Sequence, residues 1–170
     1  MRSQTNLYII RVCCCLLIVL TCRQLFAQTL VVNGTHWNVP VPNITEAGND
    51  YAGTYESVSN QITHNTSVPL LLGSAKVSVH YEPDPTWNSN LNLSIRRTSN
   101  GSTLCLLCSI SGGTAYQPVG VTDIELYRIQ AVLALASYSD IGIQLSLSGV
   151  SILIPSGTYN ARLVFTVGGL

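Results

Sequence analysis

Apolar and polar residues alternate with period two along four stretches of the chain. Ala75, Val77, Val79 and Tyr81 fall on one face of the first, and Lys76, Ser78 and His80 on the other. Between Asn90 and Arg97 the same alternation sets Leu91, Leu93 and Ile95 against Asn92, Ser94 and Arg96. Ile141, Ile143, Leu145 and Leu147 make the third stripe. Tyr159, Ala161, Leu163, Phe165 and Val167 make the fourth and longest, within Thr158 to Val167. Successive side chains of a strand point to opposite faces, so each pattern predicts a half-buried antiparallel strand.

Turn chemistry separates these stretches. Pro83-Asp84-Pro85 with Asn88, Ser99-Asn100-Gly101, Ser111-Gly112-Gly113 and Pro155-Ser156-Gly157 supply residues that bend the backbone at low cost. Further strands are predicted over Thr29–Val32, Trp37–Val41, Tyr51–Val58, Val68–Leu72, Leu104–Ile110, Thr114–Val119 and Ile124–Ile129. Gln130 to Ser137, Q-A-V-L-A-L-A-S, is ambiguous, because Ala and Leu favour helix in a run that is short and uncapped. About eight to ten short strands joined by turns predict an all-β fold, an antiparallel β-sandwich with immunoglobulin-like or jelly-roll connections.

The first residues break this picture. Arg2 and Arg11 precede an apolar run, Val12 to Thr21. The run is too short for a bilayer-spanning helix, which needs ~20 residues, and has the length of a signal-peptide core. Leu25-Phe26-Ala27 offers a cleavage site, leaving Gln28 as the new N-terminus. The expected organisation is therefore a signal peptide over 1–27 and a single extracellular domain over 28–170, with no membrane span in the mature chain. Acylation at Cys22 is disfavoured, because Thr21 is a poor residue before a lipoprotein cysteine.

Removing 1–27 changes the charge and the cysteines. Lys76, Arg96, Arg97, Arg128 and Arg162 then face eight acids, a formal charge of −3. That argues against nucleic acid and against anionic lipid, both of which need a basic face. The expected location is secreted or cell-surface: periplasm or outer surface if the source is bacterial. Only Cys105 and Cys108 remain of six cysteines.

C-L-L-C can be read as a redox motif, half of a zinc site, a local disulfide or two core thiols. No helix follows it to support redox chemistry, and a second ligand pair for zinc is missing. An extended strand would hold the two Cα atoms roughly 10 Å apart, so a bridge requires a tight turn at Leu106-Leu107.

Other candidate chemistry is sparse. His36, His64 and His80 have no metal-ligand spacing and read as polar strand or loop residues. Glu46-Ala47-Gly48-Asn49-Asp50, with Glu56 beyond it, lacks the spacing of a calcium loop. No nucleophile elbow, H-E-x-x-H pair or phosphate-binding loop occurs in the sequence. The chain is thus not expected to be an enzyme or to carry a cofactor. Aromatic residues cluster between 37 and 116, and Trp87, Tyr81 and Tyr116 form a candidate ligand platform suited to a sugar face or a partner protein.

The C-terminal stretch, P-S-G-T-Y-N-A-R-L-V-F-T-V over Pro155–Val167, resembles the last strand of bacterial surface β-sandwiches, namely chaperone–usher pilus subunits and spore-coat-U-type proteins. Gly157 stands where pilus subunits carry a glycine near the end. The chain finishes Gly168-Gly169-Leu170 without their penultimate aromatic, and it lacks their usual cysteine pair. The resemblance implies a structural or adhesive subunit acting by protein–protein contact or self-association. It also implies that Thr29 to Pro42 is either a strand donated to a neighbour or the ordinary first strand of a self-complete sandwich. The alternatives are a carbohydrate-binding module using exposed aromatics and, third, a secreted enzyme of unfamiliar type.

Overall fold

Residues 28–42, 44, 48–51, 53–69, 73–131 and 136–170 are described by a computed structural model. The expected signal segment, residues 70–72 of an expected strand, Glu46 and Ala47 of the acidic loop, and 132–135 of the ambiguous run lie outside the described residues. Eleven strands are described: β1 (Thr29–Gly34), β2 (Tyr55–Glu56), β3 (Ile62–Val68), β4 (Ser74–Pro83), β5 (Asn92–Arg97), β6 (Ser102–Thr103), β7 (Cys108–Ser111), β8 (Gln117–Pro118), β9 (Ile124–Ala131), β10 (Ala136–Ser148) and β11 (Ala161–Gly169). All their pairings are antiparallel.

They form two sheets. The first has the order β1-β3-β10-β5-β8, with β2 and β6 also pairing to β10. The second has the order β11-β4-β9-β7. The alternating stripes read from the sequence become the facing surfaces. Val77 and Val79 of β4 and Ile129 of β9 meet Ile95 of β5 and Ile141 and Ile143 of β10, all fully buried in one cluster. Each such side chain contributes about 1.5–3 kcal/mol of burial. The all-β sandwich expected from the pattern is the fold observed.

Several expected strands are corrected. Trp37–Val41 is not a strand; Pro40 and Pro42 remove donors there, and β1 ends at Gly34. Tyr51–Val58 and Thr114–Val119 shrink to the two-residue β2 and β8. Leu104–Ile110 is broken by a turn at Leu106-Leu107, and β7 starts at Cys108.

Val68–Leu72 was expected as a strand, yet Val68 is the last residue of β3. β3 itself, I-T-H-N-T-S-V, has no apolar stripe. Its inward face is His64, Thr66 and Val68, all fully buried or nearly so. Polar side chains in the interior hide it from a hydrophobicity pattern. β1 pairs with β3 over all six of its residues, so Thr29–Gly34 is a first strand of its own domain in this structure.

Three interior polar groups bond to one another. The Tyr127 hydroxyl lies 3.1 Å from His64 Nδ1 and 3.2 Å from Thr66 Oγ1. The His64 ring meets Phe165 of β11 edge to face, with centroids 4.5 Å apart. His64 Nε2 is buried without a hydrogen-bond partner. Burial pushes this imidazole down to about 4 and the Tyr127 phenol up to about 12.

Candidate functional site

Of the residues singled out by sequence, Cys105 and Cys108 are bonded, with Cα atoms 5.4 Å apart. The turn at Leu106-Leu107 supplies the approach that an extended strand would deny. The loop that carries the bridge runs from β6 in one sheet to β7 in the other, so the disulfide closes a crossing at one end of the sandwich.

The expected aromatic platform divides. Tyr81 and Trp87 are in contact, with ring centroids 5.6 Å apart. Both are half-buried; Tyr81 packs against the core, and Trp87 lies in the β4–β5 connection, where its backbone N–H donates to Asp84 O at 2.8 Å. The Trp87 indole N–H is buried without a partner. Tyr116 belongs to a different group: the Arg96 guanidinium lies 4.5 Å from its ring centroid. Arg96 in turn donates to Gln144 Oε1 at 2.8 and 3.0 Å, on the outer side of the first sheet. Burial, then the nearby Glu56 carboxylate, raises the Tyr116 phenol.

The histidines have three different settings. His36 is exposed, His80 contacts Asp123 Oδ1 at 2.7 Å on the surface, and His64 is in the core. His64 is thus a polar strand residue, as expected, but one whose side chain points into the core. Asp50 of the acidic loop accepts from the backbone of Tyr51 at 2.7 Å and of Ile152 at 3.0 Å, and these bonds hold its carboxyl below the usual range. Its oxygens tie two loops together. Among the described residues no group of three His, Cys, Asp or Glu side chains is placed to hold a metal ion.

A feature invisible in the sequence lies where β10 bulges. The register of β10 against β3 shifts between Tyr138 and Ile141, and Asp140 takes φ 59°, the left-handed region. The bulge opens a cleft of about 460 Å³ lined by Ser59, Asn60, Thr63, Thr98, Ser99, Asp140 and Gly142. Gly142 lets two hydroxyls approach its backbone closely: a Cβ there would sit 2.7 Å from Thr98 Oγ1 and 3.0 Å from Ser99 Oγ. Ser99 Oγ accepts from the Gly142 N–H at 2.8 Å, and Asn65 Oδ1 accepts from the Asp140 N–H at 2.9 Å. The lining comes from three segments distant in sequence: 59–63 leading into β3, Thr98-Ser99 after β5, and Asp140 to Gly142 within β10.

No family model matches the chain. No curated protein and no solved structure matches it either. The site must therefore be judged on its own geometry.

The other candidate surface is a pair of sheet edges on which no further described strand is paired. β11 ends the second sheet with nine residues, and β1 ends the first with six. They come near one another where a Cβ at Gly169 would be 3.8 Å from Gln28 Nε2, but no ladder joins them. Leu30, Leu163, Phe165 and Val167 pack against the core while only partly buried. β11 contains one charge, Arg162, and no proline; β1 contains neither. Proteins commonly blunt edges with Lys, Pro, bulges or short strands, and a long apolar edge is a template for further pairing.

Proposed function

We propose that this chain is a secreted or surface-exposed structural β-sandwich that works by protein–protein contact, with the β11 edge as its contact element. The observation that carries this reading is the unprotected β11 ladder: nine residues, one charge, and apolar side chains covered only in part. An added strand would find open backbone donors and acceptors there, and half-covered apolar side chains beside them. A pilus-subunit-like role is one form of this activity, and the likeness of Pro155–Val167 to such subunits supports it. Because β1 pairs with β3 of its own chain, contact at β11 would add to a sandwich that already holds its first strand.

The test is self-association measured by light scattering over a concentration series. The protein is expected to associate, and Val164→Lys with Thr166→Lys is expected to suppress it. Both positions face away from the core, so the lysines protect the edge without disturbing packing. A protein that stays monomeric at every concentration, and that captures no added β11 peptide, overturns the reading.

The hydroxyl-lined cleft at the β10 bulge favours a second reading, carbohydrate binding. Serine, threonine and asparagine side chains beside a carboxylate match the hydrogen-bonding groups of a sugar. Selective signals on a glycan array, lost on Asp140→Asn or on Trp87→Ala, would favour that reading over the first and say which surface binds.

A further inference from the structure

The disulfide-closed loop at one end of the sandwich presents its leucines to solvent. Leu104 is 100% exposed, Leu106 98% and Leu107 70%. Among the described residues no strand covers them. Exposed single leucines are ordinary, but three within four residues at a protruding turn are not. Clamping by Cys105–Cys108 holds them outward, so little conformational freedom is lost when the loop meets a partner.

The outermost strand residues at this end are uncharged, and the nearest cations are the cross-strand pair Lys76 and Arg128, one step further in. Val68 pairs with Ala136, Cys108 with Ala131, Ser74 with Gln130, Thr29 with Ser67 and Gly169 with Ala75, so all these strand ends share one pole with the loop. The last two strand residues at each of them are neutral, and no charged or histidine residue occurs from Thr98 to Thr122. The opposite pole holds Glu82, Asp84, Asp123 and Arg162.

We propose that this pole is a lipid-docking tip, with Leu104, Leu106 and Leu107 entering the interfacial region of an electrically neutral bilayer. A convex, rimless protrusion of leucines needs no complementary pocket in a bilayer, whereas a protein partner would have to supply one. Neutral lipid fits the chemistry because the stretch from Thr98 to Thr122 that carries the loop has no charged residue, and the five cations after residue 27 are outnumbered by eight acids. The loop backbone keeps polar groups that cannot enter hydrocarbon, which restricts insertion to about 5–10 Å. This docking is separate from the β11 edge.

The test is co-flotation with phosphatidylcholine vesicles, using protein purified from an exporting host. Binding is expected, and high salt should leave it unchanged. Leu106→Asp with Leu107→Asp is expected to lower partitioning by about tenfold or more. Both leucines are exposed, so the fold should survive; Leu153→Asp, an 84% exposed leucine of the 149–160 loop, is expected to bind as before. The Val164→Lys/Thr166→Lys variant should also still float, which separates this proposal from edge pairing. Failure of the protein to float, or equal flotation of the Leu106/Leu107 and Leu153 variants, overturns it. Self-association lost on Leu106→Asp/Leu107→Asp without vesicle binding would also overturn it, by assigning the tip to a second copy of the chain.

Discussion

Lowering the pH should weaken this protein well before its surface carboxylates titrate, and the cause is His64. Its ring is fully buried on β3, beside the Tyr127 hydroxyl and against Phe165. Protonation would place a cation there whose Nε2–H has no acceptor. The unfolded chain takes the proton near 6.5, while the native state refuses it until about 4. Between those values the unfolded state binds more protons, so acidification favours unfolding. The stabilisation is complete above 6.5, falls as pH drops, and levels off below about 4. The difference amounts to about 3 kcal/mol in full, of which about 2 kcal/mol is lost between about pH 7.5 and pH 5.

Urea unfolding at several pH values measures the loss directly. His64→Gln keeps a polar group beside Tyr127 and should flatten the pH dependence while lowering stability at neutral pH. Imidazole NMR of the unaltered protein gives a check that needs no variant: the His64 signals should hold still down to about pH 5. A flat stability profile over that range, or an equal slope in His64→Gln, would refute the reasoning.

Tyr127→Phe removes the one hydrogen-bond partner shared by His64 and Thr66 and should cost about 1–3 kcal/mol by chemical denaturation. Gly101→Ala should cost more than about 2 kcal/mol, because Gly101 has φ 66° and an added Cβ would collide with the Ser139 carbonyl; stability equal to the unaltered protein would show that the turn can move. Reducing Cys105–Cys108 opens a loop of only a few residues, so the expected loss is about 2 kcal/mol, read as a small drop in Tm on adding reductant. A collapse of the fold on reduction would mean that the bridge holds the two sheets together.

The sequence by itself determined the material of the sandwich. Period-two stripes in β4, β5, β10 and β11 survive as facing surfaces because side-chain direction along a strand is a local property. It also showed that a Cys105–Cys108 bond needed a turn at Leu106-Leu107, since reach along a strand is fixed by backbone dimensions.

It could not show β3, whose inward His64 and Thr66 are tolerated only because Tyr127, 63 and 61 residues away, arrives from the other sheet to bond them. Nor could it group the platform: Tyr81 and Trp87 meet through one turn, while Tyr116 is drawn to Arg96 across the first sheet. The cleft depends on a bulge in β10 that brings residues near 60, 98 and 140 together. Where the strand ends converge, three leucines of one loop became part of a pole whose outermost strand residues are uncharged. Such placements depend on sheet order and register, which long-range pairing decides and no local pattern encodes.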